Sequence, residues 1–279
     1  MQYKVVSDSS SNLFSFEGLN YASVPLKIRS TTTEYVDAPG VDVAAMVEDL
    51  HREKTAARTS CPNVYEWLEA FEGADAVFAV AITSNLSGSC SAAQQAAQEY
   101  MDTHEGAKVC VLDSLSTGPE MHLIIERLRA LIDQALPFEE IEEKIRAYMQ
   151  HTHLLFTLRS LENLAKNGRV SPAVAKIAGV LGICVVGKAS DVGTLEQMHK
   201  CRGEKRALET MVREFEAMGY RGGRMRIAHC LNLRAAQQLQ AMVLARHPQA
   251  DVTVGECTAL CTYYAEMGGL LVGFEDGQP

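Results

Sequence analysis

The sequence of 279 residues contains no apolar run as long as the roughly 18 residues that a membrane-spanning helix requires. It also lacks the start of a secretory signal, because residues 1–7 read directly as a strand, without a cationic region before an apolar segment. We therefore expect a soluble, cytoplasmic protein.

Several catalytic and metal-binding motifs are also missing. There is no His-Glu-x-x-His, Walker A or Gly-x-Gly-x-x-Gly motif, and Leu86-Ser87-Gly88 lacks the Gly-x-Ser-x-Gly elbow of a serine hydrolase. None of the eight cysteines forms a Cys-x-x-Cys pair, and Cys257 and Cys261 have no matching Cys or His pair elsewhere. We expect no metal and no cofactor, and reduced cysteines that pack as small apolar side chains.

The charge balance argues against a nucleic-acid partner. A formal net charge of −9 does not suit a phosphate backbone, which needs a basic face. One basic stretch departs from this balance, between Lys188 and Arg226. Its residues either form a solvated helix face or bind an anion.

Short β-rich runs alternate with helical patterns along the chain, and 47% of the residues are apolar. This alternation predicts an α/β protein built from βαβ units, hence with mostly parallel sheets. A long charged helix ends near Gln150, which favours two α/β domains, 1–150 and 151–279. The predicted strands are Tyr3–Ser7, Val77–Ile82, Lys108–Leu112, Leu154–Thr157, Ile183–Lys188, Met225–Ala228 and Val252–Gly255, and the predicted helices are Val41–Glu53, Cys90–Met101, Glu120–Gln134, Glu139–Gln150, Glu204–Met218 and Ala235–Arg246.

Hydroxyl side chains are concentrated in four loops of the N-terminal half. Three of these loops follow predicted strands, and one precedes a helix that Asn63 can cap: Ser7–Ser11, Thr83–Ser89, Asp113–Gly118 and Arg58–Pro62. Loops at the carboxyl ends of parallel strands meet at one edge, where hydroxyls, backbone N–H groups and helix N-termini bind anions. For any single loop, the alternative is that its hydroxyls cap the helix that follows. Four such loops together favour a binding site, and Gly88 would let the backbone approach a ligand closely.

Seven short motifs, in one order over nearly the whole chain, resemble the DegV family. They are Val6-Ser7-Asp8-Ser9, Val24-Pro25-Leu26, Thr59-Ser60-Cys61-Pro62, Leu86-Ser87-Gly88-Ser89, Asp113-Ser114, the stretch 161–171 with its Gly168-Arg169-Val170-Ser171, and Lys200-Cys201-Arg202-Gly203-Glu204-Lys205-Arg206-Ala207.

The resemblance implies a two-domain α/β protein that holds one long-chain fatty acid at the domain interface. Residues 1–150 would supply the carboxylate-binding loops and residues 151–279 the lipid tunnel. Thr59 and Ser87 would hydrogen-bond the carboxylate, with Ser60, Gly88 and Ser89 in the same two motifs. Several members of the family present the carboxylate to an ATP-binding kinase that forms an acyl phosphate, so the chain would be a non-catalytic subunit of a fatty acid kinase.

One position departs from the family pattern. Where members often carry a His-x-Gly-x-Gly segment beside the carboxylate, this chain has Tyr264, which can donate one hydrogen bond but cannot become cationic near neutral pH. Arg169 and Arg202 are the candidates for an electropositive rim.

The origin of the tunnel wall and the function itself leave alternatives open. Apolar helix faces such as Ile124, Ile125 and Leu128, or Val174, Ile177 and Leu181, could line the tail or belong to the core. A stand-alone phosphotransferase or hydrolase that uses the hydroxyl-rich rim is the second functional hypothesis. A regulator or scaffold whose ligand is a signal is the third.

Overall fold

The structure, a computed structural model, describes residues 2–53, 55–171 and 182–277. The strands described are β1 (Tyr3–Asp8), β2 (Tyr21–Val24), β3 (Lys27–Arg29), β4 (Glu34–Val36), β5 (Arg58–Ser60), β6 (Ala76–Ala81), β7 (Lys108–Asp113), β8 (Thr152–Leu158), β9 (Ile183–Ala189), β10 (Leu195–Arg202), β11 (Arg224–His229), β12 (Asp251–Glu256) and β13 (Leu270–Glu275). The helices described are α1 (Val43–Arg52), α2 (Val64–Phe71), α3 (Ser89–Thr103), α4 (Pro119–Asp133), α5 (Phe138–Tyr148), α6 (Glu162–Lys166), α7 (Glu204–Ala217), α8 (Leu233–Arg246) and α9 (Ala259–Ala265).

The first sheet has the strand order β2-β1-β6-β7, and all of its pairs are parallel, as the alternation of strands and helices predicts. Its central strand β6 is buried on both faces. Val77 and Ala79 point toward α2 and α3, whereas Phe78 and Val80 point toward α4 and α5. The capping box of Asn63 and Glu66 starts α2, which confirms the predicted helix start.

The second sheet corrects the expectation of mostly parallel pairing. In the order β10-β9-β8-β13-β11-β12, only β11 and β12 pair in parallel. The reason lies in two strands that the sequence patterns missed. Residues 190–193 form a tight turn between β9 and β10, so β10 returns antiparallel to β9. The last strand, β13, inserts between β8 and β11 and runs antiparallel to both.

A small antiparallel sheet, β4-β3-β5, lies beside the first one and is covered by helices from both ends of the chain. Ile28 and Met46 pack there against Leu260 and Tyr263 of α9. This packing places β5, which carries Thr59, next to the helix that carries Tyr264.

Helix α4 connects the first and second sheets. Leu128 packs into the core of the first sheet, while Glu126 on the same helix accepts hydrogen bonds from Arg226 of β11. At Gly273 of β13 the backbones approach so closely that a Cβ would lie 2.5 Å from the Pro119 carbonyl oxygen. The strands of the first and second sheets fall on opposite sides of residue 150, and α4 crosses between these sheets.

Within the described ranges, none of the helices has the length and apolar character needed to cross a bilayer. All eight cysteines are free thiols and seven are buried, which confirms the expectation of reduced, packed side chains. The basic stretch is not one helix face, because Lys200 and Arg202 lie on β10 and Arg226 is a buried residue of β11.

Candidate functional site

A cavity of about 260 Å³ lies where the loops of the first sheet, the small sheet and one face of the second sheet meet. Its walls come from β5, the loops after β5 and β6, β8, α9 and β13. The loop hydrogen bonds confirm that the hydroxyl-rich loops converge. Thr83 N–H donates to the Ser116 carbonyl, and Gly118 N–H donates to the Ser10 carbonyl.

The polar end of the cavity is built around a hydrogen bond between Thr59 and Tyr264. Their hydroxyl oxygens are 2.5 Å apart, although the residues are 205 positions apart in the sequence. Thr59 is held on β5 by its pairing with Ile28, and Tyr264 is held on α9 by the packing of that helix on the small sheet. Two hydroxyls at this distance leave a free donor for a bound anion.

Arg169 brings a positive charge to the same end. Its Nε donates to the Leu86 carbonyl at 3.2 Å, its Nη1 donates to the Asn167 carbonyl at 2.5 Å, and its guanidinium lies 5.7 Å from the centroid of the Tyr264 ring. Burial raises the pKa of the Tyr264 phenol, and the Thr59 hydrogen bond and the Arg169 charge oppose this only in part. Tyr264 is therefore a neutral hydrogen-bonding group throughout the physiological pH range.

Ser87 and Gly88 line the cavity at the start of α3. The Ser87 hydroxyl accepts a hydrogen bond from Ser89 N–H at 3.2 Å, and Gly88 is the N-cap residue with no side-chain cap of its own. A Cβ at position 88 would lie 3.3 Å from Cys61 Sγ, so glycine lets this turn approach the neighbouring wall. The positive end of the α3 dipole thus faces the same space as Thr59 and Arg169.

The rest of the wall is apolar. Three leucine or phenylalanine side chains on one face of β8 form one side of it, because alternate residues of a strand point the same way: Leu154, Phe156 and Leu158. The other apolar residues of the wall are Leu26, Ile82, Leu86, Leu164, Leu195, Leu260, Ala265 and Leu271, with Cys61, Cys261 and Thr117 among them. The cavity therefore fits an amphipathic ligand with one anionic end.

Most of the hydroxyls of the first loop serve the fold instead. Asp8 is fully buried and accepts hydrogen bonds from Ser89 Oγ at 2.7 Å and from Ile82 N–H at 2.9 Å, and a further one from Ser10. Burial raises the pKa of Asp8, and these hydrogen bonds offset the increase in part. Asp8 ties the ends of β1 and β6 to the first turn of α3, and so fixes the turn that carries Ser87.

Six of the eight residues predicted for the site line this one cavity: Thr59, Ser60, Ser87, Gly88, Arg169 and Tyr264. The other two lie elsewhere. Ser89 is buried with its hydroxyl directed to Asp8, and Arg202 is an exposed residue at the end of β10 that does not line the cavity. Contact of these residues with a ligand stays a prediction.

The first of the two helix faces suggested for the tail does not line the cavity. Ile124, Ile125 and Leu128 are fully buried in the core between α4 and the first sheet. Val174, Ile177 and Leu181 lie outside the described residues. The strand face of Leu154, Phe156 and Leu158 was missed, because Leu155 on the opposite face is also apolar and buried in a core, so the sequence does not distinguish the two faces.

No side chain among the described lining residues is a histidine, aspartate or glutamate that could act as a general base. His229 is buried at the end of β11, where burial lowers its pKa and Asn232 N–H lies 3.4 Å from its Nδ1. Across residues 2–53, 55–171 and 182–277, no group of three His, Cys, Asp or Glu residues is arranged to hold a metal ion.

A family model described as "Uncharacterised protein, DegV family COG1307" matches residues 2–275. A DegV domain-containing protein of Streptococcus pneumoniae is 40% identical over 279 residues, 99% of each chain. A DegV family protein from Eubacterium eligens, solved with heptadecanoic acid, has a TM-score of 0.96 and 41% identity, and covers 98% of this chain and 99% of its own. The Streptococcus pneumoniae Fatty Acid Kinase (Fak) B3 protein, loaded with linoleic acid, has the same TM-score and identity and covers 99% of both chains.

Proposed function

The chain belongs to the DegV family, and on that premise we propose that it binds one long-chain fatty acid and presents the carboxylate to an ATP-dependent kinase. The carboxylate would bind between Thr59, Ser87 and Tyr264, and the tail would lie along Leu158, Phe156 and Leu154. Two relatives at 41% identity were solved with a fatty acid.

The observation that carries the proposal is the division of one cavity into a small polar end and a long apolar remainder. Hydroxyls, the α3 N-terminus and Arg169 favour an anion at one end. Beyond that end, the described lining residues offer almost no hydrogen-bonding group. A sugar, a nucleotide or a peptide would leave its polar groups unpaired there, at a cost of about 1–3 kcal/mol for each.

The energetics assign different roles to the two ends. A tail that buries about 14 methylenes contributes roughly 11 kcal/mol before the costs of association, at about 0.8 kcal/mol each. A hydrogen bond from Thr59 or Ser87 contributes about 1 kcal/mol, and somewhat more to a charged carboxylate. The tail would supply affinity, and the polar end would fix the position of the carboxylate.

The proposal assigns no catalytic residue to this chain. A stand-alone phosphotransferase or hydrolase would need an activated hydroxyl, but the described lining residues include no general base, and the Ser89 hydroxyl is bonded to Asp8. The kinase partner would supply ATP and the phosphoryl-transfer chemistry. The name of the pneumococcal Fak B3 protein supports such a partner, and the two domains would be residues 1–150 and 151–279.

The test measures fatty acid binding and acyl-phosphate formation with the ATP-binding subunit of a fatty acid kinase. Ser87→Ala should weaken binding roughly three- to tenfold, which corresponds to one hydrogen bond, and should disrupt acyl-phosphate formation at saturating fatty acid. Ser91→Ala, an exposed change on the same helix, is the matched control and should alter neither quantity. An unchanged rate of acyl-phosphate formation in Ser87→Ala would contradict the role of the polar end.

A further inference from the structure

Phe156 occupies a distinctive position in the cavity wall. It is the middle one of the three β8 side chains that line the cavity, and it pairs directly with Gly187 of β9 on one side and Leu271 of β13 on the other. Its ring lies over Gly187, because a Cβ at that position would be 2.5 Å from Phe156 Cζ and 2.6 Å from Cε2.

The strand register gives the depth of this ring along the cavity. Leu158 follows Thr157, which pairs with Leu270, so Leu158 lies at the end of β8 nearest to the loop after Tyr264. Leu154 pairs with Gly273, where the start of α4 closes against β13. Alternate residues of a strand are roughly 6.6 Å apart, so Phe156 stands halfway along the apolar wall, one step beyond the part next to the polar end.

The glycine determines how much of the ring enters the cavity. With no side chain at position 187, the ring lies on the β9 backbone, beside the cavity space that Phe156 and Leu271 both line. Any larger residue at 187 would displace the ring toward that space. A phenylalanine packed over a cross-strand glycine is a known way to cover a glycine in a sheet, and here the same packing sets the width of a cavity.

We propose that Phe156, placed over Gly187, determines whether the cavity accepts a straight or a kinked acyl tail. The inference rests on the proposed function, since it concerns the tail of the fatty acid. A cis double bond in the middle of a tail needs extra width halfway along the wall, whereas the first carbons after the carboxylate are alike in saturated and unsaturated acids. Phe156 lies at that depth, and the position of its ring depends on the residue at 187.

The experiment compares the affinities for oleate and stearate, which have the same length and head group and differ by one cis double bond. Phe156→Leu should shift the oleate-to-stearate affinity ratio toward oleate by roughly tenfold, the discrimination that one methylene-sized difference reaches in an apolar pocket. The ratio cancels any general loss of affinity or of folded protein. Leu158→Val, one step nearer the polar end on the same face of β8, should weaken both acids alike and leave the ratio unchanged.

A second variant keeps the Phe156 ring and pushes it into the cavity. Gly187→Ala should shift the ratio toward stearate, and adding Phe156→Leu to it should restore the acceptance of oleate, because the smaller side chain leaves room for the new methyl group. The Glu196 carbonyl oxygen would also lie 2.5 Å from this Cβ, so the recovery in the double variant distinguishes the ring from a general disturbance of β9 and β10.

An unchanged ratio in Phe156→Leu, or an equal change in Leu158→Val, would overturn the inference and leave fatty acid binding intact. Failure of the wild-type protein to bind either acid would overturn the proposed function, and the inference with it.

Discussion

Glu120 is a buried carboxyl group whose ionisation should make the protein less stable as the pH rises. It lies in the first turn of α4, is 5% exposed, and accepts a hydrogen bond from Thr152 Oγ1 at 2.9 Å. Burial raises the pKa of Glu120 from 4.5 to about 7, and hydroxyl hydrogen bonds offset only part of the increase. The folded protein therefore binds this proton more tightly than the unfolded chain does.

The sign and size of the effect follow from linkage. The contribution of Glu120 to stability is fully present below pH 4.5 and is lost as the pH rises through about 7. At about 1.4 kcal/mol per pKa unit, the loss amounts to about 3 kcal/mol. Glu120→Gln keeps the shape of the side chain without the charge, so its free energy of unfolding should lack the decrease that Glu120 contributes across this range.

The assay is urea-induced unfolding of both proteins at constant ionic strength and a series of pH values. Glu120→Gln should resemble the wild type near pH 4.5 and should be more stable than it by up to about 3 kcal/mol near pH 8. Glu126→Gln is the control on the same helix. Burial alone would raise the pKa of Glu126, but hydrogen bonds from His122 and Arg226 lower it to about 2, so that variant should lose stability at neutral pH. Parallel pH profiles for Glu120→Gln and the wild type would refute the reasoning.

Two further changes test the ion pairs and the polar end of the cavity. Arg226→Met should lower the free energy of unfolding by about 3–5 kcal/mol, because it leaves Glu126 without its buried partner. Adding Glu126→Leu should recover most of that loss in the same urea titration, and no recovery would contradict this cause of the loss. Tyr264→His should make fatty acid affinity rise as the pH falls below about 6.5, because a histidine beside Thr59 gains a positive charge there. The wild-type affinity should be flat over that range, and an equal rise in the wild type would contradict the role given to Tyr264.

The sequence predicted the α/β class and most of the long elements because buried strands and amphipathic helices carry strong periodic signals. The predicted strand Lys108–Leu112, for example, differs from β7 by a single residue. It did not predict β13, because Leu270–Glu275 follows a glycine pair and contains a further glycine at position 273, and glycines are typical of turns and loops. The antiparallel second sheet depends on that strand, and pairing between strands distant in sequence leaves no local pattern.

The candidate site, too, was predicted only in part from the sequence. The hydroxyl-rich loops were predictable because polar residues repeated at the carboxyl ends of parallel strands are typical of ligand sites in α/β proteins, and Thr59, Ser87 and Arg169 do line one cavity. The wall of β8 was not predicted, because an apolar residue in a strand faces either a core or a cavity with the same sequence. Arg202 does not line that cavity, and its place at the rim stays a prediction, since a sequence motif does not show which way the end of an edge strand points.

The central claim is that this DegV family chain carries a fatty acid. The most direct measurement is denaturing extraction of the purified protein, followed by mass spectrometry of the released small molecules. We predict a nearly one-to-one yield of long-chain fatty acid. Protein that stays empty, even after incubation with added fatty acids, would contradict the claim and would move the stand-alone enzyme hypothesis to the front.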